Sequence, residues 1–197
     1  MKPKIAVDID GVLAQFNKAF VALLEREEIA SLPFDYEPTA WDYTPELTPA
    51  QLEAGFKALQ ESTVFWSQLD AYTENVQAVR RAVLRDRFDV YFVTARMDTK
   101  GESALAGTKM WLQQHSLMQM NTSIVVVKHA SYKPSVYAAL GVFASIDDHY
   151  PSVVAATTTE NVWKGHQGTL LARPWNNEEG RAGVRVVETV EEWLEGL

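Results

Sequence analysis

The sequence predicts an α/β fold in which helices alternate with the strands of a mainly parallel sheet. Short, continuous apolar runs such as Ile5–Val7 and Ile124–Val127 are typical of strands that are buried on both faces. Segments with apolar residues at helical spacing separate these runs. At 197 residues and 47% hydrophobic composition, the chain is long enough to fold around one core without a disulfide or a structural metal.

The first part of the chain predicts one strand and then only helices and loops. After the strand Ile5–Val7 comes a helix with apolar residues at positions 13, 16, 20, 23 and 24. Residues 31–47 are rich in proline, aromatic and acidic side chains, which indicates irregular structure. Thr48 and Pro49 begin a second helix, because a capping hydroxyl followed by proline is a typical helix start.

From about residue 74 onwards, helices and strands alternate regularly. The predicted elements are a helix through Val76, Val79 and Val83, a strand over Phe88–Val93, a helix over Thr108–His115, a strand over Ile124–Val127, a short helix over Pro134–Leu140, strands over Val142–Ile146, Gly168–Ala172 and Val184–Val187, and a last helix that begins with the capping box Thr189–Glu192. Because residues 15–72 show no strand pattern, we expect them to form a small helical cap inserted into a core of residues 1–14 and 73–197.

The composition disfavours several classes of protein. Lys and Arg number 18 against 26 Asp and Glu, and the resulting net charge of −8 disfavours binding to duplex nucleic acid. The chain has no cysteine, which excludes a thiolate nucleophile and any cysteine-ligated metal site. No apolar stretch is long enough for a signal peptide or a membrane span, so we expect a soluble, cytoplasmic protein without a membrane partner.

Polar residues lie where three of the predicted strands end. They are Asp8 and Asp10 after the first strand, Thr94 at the end of a second, and Asp147 and Asp148 after a third. Ligands of open parallel sheets bind at the carboxyl ends of the strands, so these residues are expected to converge. Four clustered carboxylates repel one another unless a cation is present, and oxygen ligands of this kind favour Mg²⁺.

Each of these features also has an ordinary structural explanation. The run Asp8–Gly11 has the composition of a simple turn, and Asp147 and Asp148 are equally suited to begin a solvated loop.

Lys133 lies at the predicted start of a helix, where an ammonium group would strengthen the preference of the helix N-terminus for an anion. Lys128, at the end of the preceding strand, is an alternative for the same role.

In this order the residues resemble the four motifs of the haloacid dehalogenase (HAD) superfamily, and the resemblance spans nearly the whole chain. The finer pattern is similar to the 5'-nucleotidase, deoxy (pyrimidine), type C family, which includes the 5'(3')-deoxyribonucleotidases. The segments that carry the resemblance are Asp8–Phe16, Thr94–Arg96, Thr108 with Trp111 and Leu112, Ile146–Asp148, and Arg173–Asn176. The resemblance implies a Rossmann-like, three-layer HAD core with the cap inserted after the first strand.

The resemblance also implies a reaction. A phosphomonoester is hydrolysed through an aspartyl-phosphate, with Asp8 as the nucleophile and Asp10 as the general acid and then the base. Mg²⁺ is the implied cofactor. Its implied ligands are the Asp8 carboxylate, the Asp10 backbone carbonyl and one of the paired acids, with Asp148 preferred as the direct ligand and Asp147 behind it, although their order stays open.

The same resemblance assigns residues to the substrate. Thr94, the backbone N–H of Ala95 and Lys133 are implied to hold the phosphate oxygens. A nucleoside requires a flat apolar slot, and the aromatic residues that the predicted cap offers for it are Phe16, Trp41, Tyr43, Phe65 and Trp66. Phe16 is the first candidate for stacking on a base and Trp41 the second, whereas Phe20 and Phe56 are expected to pack in the core. Arg96 is placed either to reach the substrate or to pair with an acid.

We therefore predict a Mg²⁺-dependent phosphatase that hydrolyses (deoxy)nucleoside monophosphates. One alternative is a HAD phosphatase for another small phosphate ester, such as a sugar phosphate or a nucleic-acid end, and a second is a non-catalytic nucleotide-binding protein. Signalling receivers use similar residues, but their paired acids come first and here they come last. The four histidines lack the spacing of a zinc site. An exposed cap or sheet edge leaves a homodimer open.

Overall fold

Continuous apolar runs form the strands of a single sheet. The computed structural model describes residues 2–33, 36–43, 46–158, 165–176 and 183–197. The strands are, in chain order, β1 (Lys4–Val7), β2 (Asp89–Ala95), β3 (Thr122–Val127), β4 (Ala144–Asp147), β5 (Gln167–Leu171) and β6 (Arg185–Val187). Their order across the sheet is β3-β2-β1-β4-β5-β6, and each neighbouring pair is parallel. The predicted parallel α/β sheet is therefore confirmed.

Seven helices accompany the sheet in the described part of the chain. They are α1 (Phe16–Arg26), α2 (Pro49–Glu61), α3 (Thr73–Leu84), α4 (Ala104–Gln114), α5 (Lys133–Leu140), α6 (Tyr150–Thr158) and α7 (Val190–Glu195). The sequence pattern does not predict α6, because four of its nine residues are β-branched and disfavour a helix. None of these helices is long and apolar enough to span a membrane.

The predicted start of α2 is confirmed in detail. The Thr48 side chain accepts a hydrogen bond from the Gln51 N–H, and the Gln51 side chain accepts one from the Thr48 N–H, which completes a capping box. At α7 only half of the predicted box forms. Thr189 accepts from the N–H of Glu192, but the Glu192 carboxylate accepts from the N–H of Glu188 instead of Thr189.

Apolar side chains cover both faces of the sheet. Ile5 and Val7 of β1 belong to the larger core, whereas Ala6 points to the opposite face and packs in a smaller cluster with Val93 and Tyr137. Alternate residues of a strand point to opposite faces, so β1 lies inside a three-layer, Rossmann-like arrangement. Between residues 15 and 72 the described positions form α1, α2, a short 3₁₀ helix (Trp66–Gln68) and loops without a strand; positions 34, 35, 44 and 45 lie outside the described residues.

Candidate active site

The carboxyl ends of the central strands bring the predicted acids together. β1 lies between β2 and β4 in the sheet. The N–H of Asp8 donates to the carbonyl of Ile146 at 3.1 Å, so the residue after β1 is tied to β4 directly before Asp147. The buried strands are apolar up to this edge, and the first polar side chains after them therefore meet there.

A tight turn follows Asp8. The Ile9 carbonyl accepts hydrogen bonds from the N–H groups of Leu13 and Ala14, both at 2.8 Å. Gly11 adopts a positive φ of 77° inside this turn, a conformation that suits glycine. The turn returns the chain toward α1, whose start lies later than predicted because residues 10–14 are used in the turn.

A buried lysine joins two of the carboxylates. Lys133 Nζ lies 2.9 Å from Asp8 Oδ2 and 2.7 Å from Asp147 Oδ2. The backbone N–H of His149 donates to the other oxygen of Asp147 at 2.9 Å. Both Asp147 oxygens therefore have partners within the protein. Lys128, the alternative to Lys133, is exposed.

The cluster holds more negative than positive charge. Burial raises the pKa of Asp8 well above its usual range, Lys133 opposes the shift, and Asp147 adds to it. Burial also raises the pKa of Asp148 to about 7, again with Asp147 adding to the shift and Lys133 opposing it. Burial by itself lowers the pKa of Lys133, but Asp147 and Asp8 hold it well above its usual value. One lysine therefore does not compensate the three acids.

Two buried oxygens of this cluster have no hydrogen-bond partner among the described residues. They are Asp8 Oδ1 and Asp148 Oδ1. One oxygen each of Asp8, Asp147 and Asp148 lies within 4.8 Å of the others, a grouping that could hold a metal ion. Unpartnered carboxylate oxygens are hard ligands, so the donor set fits a cation such as Mg²⁺. Both Asp147 oxygens have partners within the protein, whereas Asp148 keeps one oxygen without a partner among the described residues.

Asp10 is held by a different set of residues. Arg96 forms a bidentate ion pair with it, with Nε 2.8 Å from Oδ2 and Nη2 2.7 Å from Oδ1. The Thr94 hydroxyl also donates to Oδ2, at 3.0 Å. Arg96 Nη1 also donates to the Thr108 hydroxyl at 2.9 Å, and the guanidinium lies 4.6 Å from the ring centroid of Trp66. Of the two placements expected for Arg96, the structure shows pairing with an acid.

A pocket of about 200 Å³ opens above these residues. It is lined by Asp8, Asp10, Phe16, Asn17, Trp41, Tyr43, Phe56, Trp66, Thr94, Ala95, Arg96, Met97, Lys128, Ala130, Lys133 and His149. The predicted Phe16, Trp41, Ala95 and Arg96 all belong to this lining, whereas Asp147 and Asp148 lie outside it. Phe56, expected in the core, also lines the pocket.

The aromatic walls of the pocket are held in different ways. Trp66 is fixed, since its Nε1 donates to the Met97 carbonyl at 2.8 Å and its backbone N–H to Glu102 at 2.9 Å. Phe65 packs edge-on against Trp66 and does not line the pocket. Trp41 is half-exposed, and its ring centroid lies 4.5 Å from that of His149.

His149 directly follows the acid pair and lines the pocket. It is partly buried against Trp41, and its Nδ1 forms a hydrogen bond of 2.8 Å with the Ser152 hydroxyl. Burial lowers its pKa.

Comparison with known families agrees with this geometry. The model of the family "5' nucleotidase, deoxy (Pyrimidine), cytosolic type C protein" matches residues 2–154. The chain belongs to this family. The matched residues include Asp8, Asp10, Thr94, Lys133 and both members of the acid pair. Among curated proteins, none matches the sequence.

Solved structures share the fold of this nucleotidase-family chain at low sequence identity. A haloacid dehalogenase-like hydrolase family protein, SP0104 from Streptococcus pneumoniae, aligns with a TM-score of 0.66 at 12% identity and covers 99% of this chain and 98% of its own. A HAD-superfamily hydrolase, GSU2069 from Geobacter sulfurreducens, aligns with a TM-score of 0.61 at 15% identity, over 100% and 96% of the two chains. The HAD fold is confirmed, and membership of the family supports a hydrolase of the HAD type.

Two residues that support the nucleotidase-family site have no role that the sequence predicts. Arg173 Nε donates to the Gly11 carbonyl at 2.7 Å, and Trp175 Nε1 donates to Asp148 Oδ2 at 2.8 Å. Both residues belong to the segment Arg173–Asn176, which carries part of the family resemblance. Their contacts follow from β5 lying beside β4, an order of strands that hydrophobic periodicity does not reveal.

Proposed function

We propose that this chain is a Mg²⁺-dependent phosphatase that hydrolyses nucleoside monophosphates to nucleoside and phosphate. The observation that carries the proposal is a single pocket with two kinds of wall. Asp8 and Lys133 form its charged floor, and Phe16, Trp41 and Trp66 form its aromatic sides. A phosphate group fits the first kind of surface and a flat nucleobase fits the second.

Asp8 acts as the nucleophile in this proposal. Its Oδ2 is paired with Lys133, and its buried Oδ1 has no partner among the described residues. The attacking oxygen of Asp8 forms a bond to phosphorus while the ester P–O bond breaks, and the leaving oxygen takes a proton from Asp10. In the second step Asp10 accepts a proton from water, the water oxygen bonds to phosphorus, and the Asp8–phosphorus bond breaks.

Three further groups receive the phosphate. Lys133 supplies a buried positive charge beside Asp8. Thr94 and Ala95 lie at the end of β2 and line the pocket. In the absence of substrate the Thr94 hydroxyl donates to Asp10, so a phosphate oxygen competes with Asp10 for this donor.

Asp8 and Asp148 would hold Mg²⁺, together with the backbone carbonyl of Asp10. When bound, Mg²⁺ shields the negative charge of the carboxylates from that of the phosphate. Asp147 does not bind the ion directly in this proposal. One of its oxygens pairs with Lys133, and the other accepts a hydrogen bond from the His149 N–H.

Residues 15–72 form the cap in this proposal, and residues 1–14 and 73–197 form the core. The division is supported by the source of the pocket walls. Phe16, Trp41 and Trp66 come from the first segment, whereas the acids and Lys133 come from the second. Base preference thus resides in the cap and the phosphoryl chemistry in the core.

The test is phosphate release from a panel of deoxyribonucleoside and ribonucleoside monophosphates, with Mg²⁺ and with a chelator. We expect metal-dependent turnover by the wild type, its loss in Asp8→Asn, and its retention in Asp86→Asn, an exposed carboxylate that pairs with Lys2. Turnover that survives Asp8→Asn contradicts the assignment of the nucleophile. Activity on glycerol phosphate without activity on any nucleotide retains the chemistry and rejects the substrate class.

A further inference from the structure

The loop after β5 contacts the candidate cation site from outside the pocket. It contains Pro174–Asn176, a short 3₁₀ turn, and it lies beyond residues 2–154 that the family model matches. Trp175 is 6% exposed, and its Nε1 donates to Asp148 Oδ2 at 2.8 Å. A buried indole N–H is therefore directed at one oxygen of a buried carboxylate.

The turn that follows Asp8 packs against the same carboxylate. A Cβ built on Gly11 would lie 2.0 Å from Asp148 Oδ2, so the carboxylate occupies the space that any other side chain would fill. The loop also holds the backbone at Gly11 and at Asp148. Arg173 Nε donates to the Gly11 carbonyl at 2.7 Å, and Asn176 Nδ2 donates to the Asp148 carbonyl at 2.9 Å. Asp148 has little freedom to rotate between these contacts.

This confinement decides which oxygen is left for a ligand. With Oδ2 bonded to Trp175, Asp148 presents Oδ1, which is buried and has no partner within the described residues. An oxygen of Asp148 lies in the same group as oxygens of Asp8 and Asp147. The indole N–H is neutral, so it orients the carboxylate without cancelling the charge that attracts a cation.

We propose that Trp175 is a positioning residue that aims Asp148 Oδ1 at the divalent cation. This inference rests on the proposed function, because it requires a cation at Asp8 and Asp148. Groups that orient metal ligands typically change metal affinity by about 10–100-fold when they are removed. Trp175→Phe keeps an aromatic ring but removes the N–H together with part of the indole, a loss that the control variant shares, and we expect Mg²⁺ to bind about 10-fold more weakly.

The experiment measures Mg²⁺ binding to the full-length, metal-free protein by isothermal titration calorimetry, without substrate. The matched control is Trp193→Phe, since Trp193 is fully buried and its Nε1 has no partner in the described part of the chain. We expect wild-type affinity in Trp193→Phe and weaker binding in Trp175→Phe. At saturating Mg²⁺ the KM of Trp175→Phe for the nucleotide should return to the wild-type value, which a general loss of structure would not allow.

The outcomes separate this inference from the proposed function. Equal Mg²⁺ affinity in Trp175→Phe and the wild type overturns the role of Trp175 and leaves the phosphatase proposal intact. No Mg²⁺ binding by the wild type overturns the metal assignment and with it the role of Trp175.

A second measurement needs no variant of Trp175. In ¹⁵N-tryptophan-labelled wild type, Mg²⁺ should shift the indole N–H signal of Trp175, assigned through its through-space contacts, and leave that of Trp193 in place. An unchanged Trp175 signal at saturating Mg²⁺ contradicts the inference.

Discussion

Replacing Arg96 by methionine tests how Asp10 is held. Arg96 has no exposed side-chain surface, and it gives Asp10 two charged hydrogen bonds, of 2.8 and 2.7 Å. Methionine fills a similar volume against Trp66 but cannot donate to a carboxylate. Arg96→Met therefore leaves a carboxylate that has lost its cation and keeps, among the described residues, the hydrogen bond from Thr94.

The size of the effect follows from the burial of the two partners. Removing one partner of a buried ion pair destabilises a protein by about 3–5 kcal/mol. The Asp10 side chain is 15% exposed, so water partly compensates, and we expect the lower end of that range, about 3 kcal/mol. For a chain of this length, Tm should fall by about 6–12 °C.

The assay is urea unfolding in chelator, combined with a double-mutant cycle. In an Asp10→Asn background the carboxylate charge is absent, so Arg96→Met should cost about 2 kcal/mol less than in the wild type. Arg81→Met is the matched control, because Arg81 and Glu191 form an ion pair with 45% and 57% exposed side chains. Its cost should stay below about 1 kcal/mol. An equal cost of Arg96→Met in both backgrounds would refute the reasoning.

Two further predictions concern pH and substrate. Burial raises the pKa of Asp148 to about 7 in the folded protein, above the usual 3.8. The proton bound by Asp148 therefore stabilises the metal-free folded state below about pH 4, and this stabilisation is lost as the pH rises to about 7. Mg²⁺ competes with that proton, and the Tm increase on adding Mg²⁺ should be larger at pH 8 than at pH 5.5 by scanning fluorimetry; a smaller increase at pH 8 contradicts this. Trp41→Ala should raise the KM for nucleotides roughly tenfold, because base stacking contributes about 1–3 kcal/mol. The KM for glycerol phosphate should stay nearly unchanged, and so should the Tm, since Trp41 is 49% exposed. An equal rise in both KM values would show that Trp41 does not bind the base.

The sheet and the position of the acids could be predicted from the sequence because both depend on local patterns. Each of the six strands in the described residues lies within two residues of its predicted bounds, and the central strands are the most strongly signalled because a strand buried on both faces requires a nearly continuous apolar run. Asp8 directly follows such a run and Asp147 ends the strand formed by another, so the sequence locates both. Thr94 and Arg96 are two residues apart, and the period of a strand places both beside Asp10. The period does not show which acid Arg96 would reach.

The contacts that orient the acids depend instead on the order of the strands. β1 contacts both β2 and β4, so the turn after β1 meets Arg96 from one neighbour and Asp148 from the other. Trp175 reaches Asp148 across 27 residues of sequence, because β5 lies next to β4 and the loops after neighbouring parallel strands are adjacent. Hydrophobic runs identify strands without ordering them. The neighbours of a carboxylate in the sheet, more than its neighbours in the sequence, therefore decide which of its oxygens is left to bind a cation.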